Sequence, residues 1–533
     1  MLINAELLLQ YQRCKRRPFL DTYGDKSQRN TANDLLVKLQ QDKIAHRAGV
    51  LTQFTYQRPA YPRLNWLAGK VATLELMQQG VECIYHGVLL VNHAERHELL
   101  SCPDLLLKQP GQSCFGDWMY VPANIELGKR PKQEYQVVAA FHAYVLAMVQ
   151  EVELETAWLI LRGKEAGYPV DLRKWTPPMH KILAEYIQTL EAEEAPEVFI
   201  SRQRCSLCPW YGSCYAIAQS QKHLSLLPGV TPIRYTQLQA LDITTVESLA
   251  KTSPTQLENL TGFNNEVAPK LVLQAQSVVE NRPLLISPSP KQKSEETNGS
   301  YNWEIVNDNL LILPTEPNKA NVEKKLMGEP AMSLYEELVT QIRFTAPIEL
   351  YFDIEAQPDL ELDYLLGVLV VDKQANTQKF YSLLAERPED EQLIWQQFLD
   401  LVWQYPEAPI YHFCVYEFDT VKRLARLYQT PHSSVQPVLN RFVDVYEQLT
   451  QSVTLPVESY ALKAIARWLG FEWRDSEASG AKCIYWYDQW LRTGDRTLLE
   501  IIQRYNEDDC RATRSVKDWL SNFMNETGVG GGV

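Results

Sequence analysis

Apolar residues recur at a period of two in some stretches of the chain and at three and four in others. Residues 81–91 (VECIYHGVLLV) and 349–355 (ELYFDIE) are β-prone runs that predict strands. The run LDYLLGVLVVD at 362–372 predicts a hairpin partner for the second of them. EYQVVAAFHAYVLAMVQ at 134–150 predicts a long, mostly buried helix, and residues 497–520 (TLLEIIQRYNEDDCRATRSVKDWL) carry helical periodicity. Residues 223–282 read as helical throughout, broken by short glycine turns at LPGV (227–230) and LTGF (260–263). Residues 283–300 lose nearly all apolar character after Ile286 and predict a flexible linker; the tail GVGGGV (528–533) predicts a loose end. The fold class expected is multidomain α/β. An α/β domain spans 1–220 and a small all-α module 223–282. The linker follows at 283–300, a connecting segment at 301–344, and a second α/β domain with a mixed sheet at 345–525.

Composition narrows the class. At about 100–200 residues per domain, 533 residues suit three or four domains. Hydrophobic residues make up 45% and charged residues 22%, as in ordinary globular proteins. No apolar run is long enough to span a bilayer, so no membrane partner is expected. The N-terminal stretch MLINAELLLQYQRCKRRP places its basic cluster after its apolar one, the reverse of a signal peptide, so a cytoplasmic location is expected. A net charge of −14 argues against a surface that coats nucleic acid broadly, but not against a carboxylate-rich metal site. The basic clusters Lys15–Arg17, Lys129–Lys132 and Arg202–Arg204 read first as solvated surface.

The chemistry concentrates in the last third. On a strand, Asp353 and Glu355 share a face. The apolar run 408–418 (APIYHFCVYEF) carries Glu417 near its end. Tyr505 and Asp509 are four apart in a helical segment and share a helix face. Phosphodiester hydrolysis needs a water made nucleophilic at neutral pH and a stabilised leaving oxygen; two hard cations about 3.5–4 Å apart supply both. Such cations, Mg²⁺ or Mn²⁺, prefer carboxylates.

This set resembles the tyrosine-bearing subclass of the DEDD (DnaQ-like, RNase H-like) exonucleases over about residues 345–525. The resemblance implies metal binding by Asp353, Glu355, Glu417 and Asp509, with Tyr505 orienting the attacking water. Relatives carry Asp where this chain has Glu417; Asp419 is the nearby fallback, and Asp508 adjoins the third motif. Lys463 in SYALKAIARWLG and Asp444 in RFVDVYEQL match further positions of the family pattern.

The N-terminal part offers a second constellation. Cys205, Cys208 and Cys214 form C-x2-C-x5-C, and Cys14 lies far upstream. The other six cysteines (Cys83, Cys102, Cys114, Cys414, Cys483 and Cys510) read as small buried hydrophobes. The four-cysteine set resembles the staple of iron–sulfur nucleases of the AddB and CRISPR-associated RecB-like types. The resemblance implies a [4Fe–4S] cluster, with a structural Zn²⁺ site as the alternative.

Between those cysteines the resemblance implies a PD-(D/E)XK pattern. Asp104 in Cys102-Pro103-Asp104 matches its first half and would bind metal. In the second half Asn124 stands for the acid and Glu126 for the lysine. Glu126 can still ligate a cation, but the acid–lysine pair is missing, so the domain reads as a degenerate nuclease kept for nucleic-acid binding. His46 and Gln136 match accessory positions, and Lys129 is placed to reach back. The module 223–282 resembles helix–hairpin–helix units; a helical spacer is the other reading.

The whole arrangement resembles RecB-like nucleases with a C-terminal exonuclease domain. It implies 3′→5′ exonuclease action on single-stranded ends, with DNA favoured over RNA, in DNA repair or processing. The rival is a non-catalytic nucleic-acid-binding scaffold.

Overall fold

Asn4 closes strand β1 (Leu2–Asn4) and opens the first helix, Ala5–Arg13: its Oδ1 accepts the Leu7 amide at 2.8 Å, a side-chain N-cap. This is a computed structural model, and it describes residues 1–30, 34–93, 96–164, 166–192, 194–286 and 346–527. The chain divides into two compact units, Met1–Ile217 and Ala218–Val533.

In the first unit the run expected to be one strand at 81–91 is two. His86 sits in the left-handed region (φ 53°) and turns the chain between β2 (Cys83–Tyr85) and β3 (Leu89–His93). The break falls at His86-Gly87, the polar and glycine pair inside the run. The two strands join different sheets: β3 pairs with β4 (His97–Ser101), which pairs with β1. β2 edges a five-stranded sheet with β5 (Leu105–Ser113), β6 (Gly116–Glu126), β7 (Thr156–Leu161) and β8 (Tyr168–Asp171), in the order β2-β5-β6-β7-β8.

Strands β6 and β7 are parallel, so the chain must cross over between them, and it does so through the helix Gln133–Gln150. Small residues (Ala139, Ala140, Ala143) and large ones (Phe141, Val145, Leu146) of that helix are all buried. Its His142 is buried against Ser101, Nδ1 to Oγ 2.7 Å, and burial lowers its pKa to about 3, so it stays neutral.

The second unit begins with the helices Pro232–Ala240, Val246–Ala250, Pro254–Leu257 and Val267–Glu280. The two glycine turns adopt positive φ (88° at Gly229, 85° at Gly262). Arg234 ties them together: Nη1 donates to the Gly229 carbonyl at 2.7 Å and Nε to that of Gly262 at 2.6 Å. The residues expected to start the linker are ordered as β9 (Leu284–Leu285). Residues 287–300, the segment 301–344 and the tail 528–533 lie outside the described residues.

Strand β10 (Ile348–Gln357) pairs antiparallel with β11 (Leu362–Asp372), the two strands expected from the sequence. β11 is buried along nearly its whole length, as its continuous apolar run requires of a central strand. β12 (Thr377–Leu384), β13 (Ile410–His412) and β14 (Phe442–Asp444) complete the order β12-β11-β10-β13-β14. β13 and β14 run parallel to β10, so the sheet is mixed. β15 (Val453–Thr454) pairs with β9.

The helical module therefore packs onto this domain. Gln274 Nε2 donates to the Leu455 carbonyl at 2.7 Å, and Ser277 Oγ to that of Thr454 at 3.2 Å. Across the sheet lies the helix Arg496–Glu526. It crosses β11 so closely that a Cβ on Gly367 would sit 1.7 Å from Asn506 Oδ1.

Candidate metal centre

Alternation along β10 sends Glu349, Tyr351, Asp353 and Glu355 to one face, against the C-terminal helix. The acids on this face are treated differently. Glu349 is fully buried, and Lys373 and Lys517 donate to its Oε1 at 2.7 and 2.8 Å. Burial pushes its carboxyl up, but the two ammoniums and the Tyr351 hydroxyl outweigh it and hold the pKa below the usual range. That is a structural ion cluster.

Asp353 and Glu355 have no such compensation. With Asp509 they form a trio whose ligand oxygens all lie within 4.8 Å of one another. Asp353 and Asp509 are partly exposed and Glu355 is buried, so the trio faces solvent on one side. Burial, then the neighbouring charges of Asp509, Glu355 and Glu417, push Asp353 well above the ordinary aspartate range. Burial and Asp509 do the same to Glu355, and burial raises Asp509 to about 7. Crowded carboxylates of this kind either take up protons or take up a cation.

Asp509 stands one turn beyond Tyr505 on the helix, and the tyrosine presents its hydroxyl to that carboxylate. Glu417 lies in the first turn of the helix Tyr416–Leu427, where the apolar run 408–418 ends its short strand. It is buried beside His412, Nδ1 to Oε2 3.6 Å, and Oε2 has no hydrogen-bond partner. Its charge acts on both Asp353 and Glu355, but the structure does not bring it into the trio whose oxygens lie within 4.8 Å of one another. Its nearest charged neighbour is His412, whose pKa it raises against the opposing effect of burial. The fallback, Asp419, is exposed.

The neighbours of the motif residues hold the geometry. Asp508 is locked by Arg474, whose N and Nε each donate at 2.9 Å, so it is an anchor. Asp444 caps the helix Val445–Ser452 and accepts the Cys414 amide at 3.0 Å, fixing the loop between His412 and Glu417. Lys463 Nζ donates to the Ala478 carbonyl and lies over the rings of Trp473 and Tyr505, 5.4 and 5.1 Å from their centroids. Burial lowers its pKa, and the Asp509 charge opposes that.

Three partners escaped sequence reasoning. Asn506 Nδ2 donates to Asp353 Oδ2 at 2.6 Å, Trp473 Nε1 donates to Asp509 Oδ1 at 2.7 Å, and the Cys483 thiol bonds Glu355. Only Asn506 carries a signal, since it adjoins Tyr505.

The N-terminal residues gather in a different environment. Asp104 Oδ1 pairs with Arg47 at 2.8 Å, and Oδ2 accepts the Ile125 amide at 2.7 Å. Glu126 is buried, and burial, reinforced by Asp104 and opposed by Lys43, raises it to about 7. Asn124 is buried with no partner for Oδ1, and His46, bonded to the Glu126 backbone, has none for Nε2. Gln136 donates to the Pro131 carbonyl at 2.9 Å.

The four cysteines share one neighbourhood, although no three of their sulfurs lie within 4.8 Å of one another. Cys14 follows the first helix, and Arg204 Nη1 donates to the carbonyls of Gln12 and Arg13 at 3.3 and 3.2 Å, drawing the C-x2-C-x5-C segment onto it. Burial raises the Cys205 thiol to about 12, and the thiols of Cys14, Cys208 and Cys214 add to it. All four are free thiols, as are the scattered six; of the latter Cys83, Cys483 and Cys510 are buried as expected, Cys102 and Cys414 only partly, and Cys114 is exposed in the tight turn between β5 and β6.

A search of the curated proteins gave no match. The RNase_H_2 model, of the RNase H superfamily, matches residues 350–521. The domain built on β10–β14 and the C-terminal helix is therefore RNase H-like, with a nuclease-type carboxylate cluster.

Proposed function

We propose that the chain is a Mg²⁺- or Mn²⁺-dependent 3′→5′ exonuclease acting on single-stranded ends, DNA before RNA, through its C-terminal domain. The observation that carries this is the convergence of Asp353, Glu355 and Asp509 within 4.8 Å inside an RNase H-like domain, with the charge of Glu417 acting on it. Asp353, Glu355, Glu417 and Asp509 would hold the cations. Bound there, divalent ions lower the pKa of water and neutralise charge at the scissile phosphate.

The chain's own groups do the rest. The Tyr505 hydroxyl orients the attacking water. Asn506 and Trp473 fix Asp353 and Asp509 by hydrogen bonds and so keep the carboxylates preorganised. Lys463, beside Asp509, adds positive charge near the phosphate oxygens.

In the N-terminal domain we assign Cys14, Cys205, Cys208 and Cys214 to a [4Fe–4S] cluster, because the C-x2-C-x5-C spacing with a distant fourth cysteine supplies its soft donor set and the other three thiols act on Cys205. A structural Zn²⁺ is the alternative. Metal analysis decides: iron and sulfide support the cluster, and stoichiometric zinc without iron overturns it.

The exonuclease assignment is tested with 5′-labelled single-stranded oligonucleotides and Mn²⁺. Progressive shortening from the 3′ end, abolished by Asp353→Ala, is expected. Equal degradation by both proteins would contradict the assignment, and no degradation by either would leave the scaffold reading.

A further inference from the structure

The Asp104 pocket lies at the start of β5, beside β6 in the interior of the sheet, in surroundings that are basic for a chain of net charge −14. Four cations surround it. Arg47 is ion-paired to Asp104, and Lys43 acts on Glu126. Arg58 faces His86 and Tyr85, and Arg162 faces His46. The acids facing them are Asp104, Glu126 and Glu6, and Arg13 adds a further cation.

Arg47 occupies the side of Asp104 that a cation would need, and the other Asp104 oxygen is held by the Ile125 amide. Arg47 Nε is a buried donor with no acceptor. An orphaned guanidinium N–H inside a positive pocket is suited to an anionic oxygen.

The pocket continues along one segment. Gln57 bridges to the edge strand β2: its amide donates to the Cys83 carbonyl at 3.0 Å and its carbonyl accepts the Tyr85 amide at 2.8 Å. Arg58 lies over the Tyr85 ring at 5.7 Å, and the Tyr85 and His86 rings are 4.3 Å apart. Beyond Arg58 lies a cavity of about 470 Å³ lined by Arg58, Tyr61, Arg63, Leu64 and Trp66. Arg58, Arg63 and Leu64 are exposed. Cations interleaved with aromatic rings at a surface groove match the chemistry of an unpaired strand, phosphates on the guanidinium groups and bases on the rings.

We propose that this groove, from the Arg58–Trp66 cavity to the Arg47–Asp104 pair, binds the backbone of single-stranded nucleic acid without a metal ion and without cutting it. The groove rests on the nucleic-acid reading of the chain, but its test does not pass through hydrolysis. Full-length protein carrying Asp353→Ala is titrated, in EDTA, into fluorescein-labelled oligo-dT and oligo-rU, with fluorescence anisotropy as readout over a salt series.

Binding to both oligonucleotides that weakens with salt is expected, and their affinity ratio reports the sugar preference. The surface double variant Arg58→Glu/Arg63→Glu weakens binding tenfold or more and flattens the salt slope, by roughly one for each phosphate no longer neutralised. Arg47→Gln weakens it about fivefold, and circular dichroism checks its fold. Three results would overturn the proposal. One is affinity unchanged in the Arg58→Glu/Arg63→Glu protein. Another is binding that appears only with Mn²⁺. The third is Mn²⁺-dependent cleavage that survives Asp353→Ala and is lost on adding Asp104→Ala. Hydrolysis failing while EDTA binding persists would sink the exonuclease reading alone.

Discussion

Asp104 and Asp353 each stand beside other acids at a sheet, and their surroundings neutralise them in opposite ways. Asp104 meets a guanidinium at 2.8 Å and a backbone amide at 2.7 Å. Asp353 meets one neutral amide, from Asn506, and three more carboxylates. The first pocket is already supplied with positive charge from its own chain. The second holds more negative charge than the fold neutralises, although a few residues away on the same strand Glu349 is given two lysines. The contrast separates acids that serve the fold from acids that await a cation.

The largest break in this comparison is expected from removing one acid at a time. Asp353→Ala should cut Mn²⁺-dependent hydrolysis on the order of a thousandfold, the equivalent of several kcal/mol of charge stabilisation. Asp104→Ala should leave hydrolysis within about twofold. Rates on a labelled single strand check both, and a reversed pattern would move the chemistry to the other pocket.

Gly367→Val comes next. Its side chain must displace Asn506 Oδ1 and meets Phe380 Cζ 3.0 Å from its Cβ. Overpacking of this kind costs about 1–3 kcal/mol. Hydrolysis should fall by tens-fold as Asp353 loses its amide, and Asn506→Ala should reproduce the activity loss with less destabilisation in thermal melts.

A smaller effect is expected on pH. Asp509 binds its proton up to about pH 7 in the metal-free fold, and Asp353, Glu355 and Glu417 are also raised. In the unfolded chain these acids ionise near 4. Between those values the fold holds more protons than the unfolded chain, so its stability declines as pH rises from about 4 to 7. In EDTA the melting temperature of the C-terminal transition should drop between pH 5 and 7.5. Mn²⁺ should reverse the drop, and Asp509→Asn should shrink it. A melting temperature in EDTA that rises over that range in step with the Asp509→Asn protein would count against the unpaired-acid account.

The smallest effect belongs to Trp473→Phe. It removes one hydrogen bond to a carboxylate, worth about 1.5–3 kcal/mol. It should weaken Mn²⁺ half-saturation of hydrolysis several-fold with little change at saturating metal.

What the sequence made legible was local. Period two put Asp353 and Glu355 on one face, and spacing four put Asp509 over Tyr505, because backbone geometry alone decides both. The continuous apolar run of β11 marked the strand to its last residue. Partnerships made through space left no such mark. Trp473 reaches Asp509 across 36 positions, and Arg47 reaches Asp104 from a separate helix. The attachment of the 223–282 module through Gln274 and β9 depends on residues that its own helical pattern leaves unremarkable. His86 broke a strand by adopting a left-handed backbone that residue type alone does not demand.

Crystals soaked in MnCl₂ and measured at the manganese edge test the central contrast most directly. Anomalous peaks bounded by Asp353, Glu355, Glu417 and Asp509, with none at Asp104, are the result this account predicts. A peak at Asp104 with the Asp353 cluster empty under saturating manganese would contradict it.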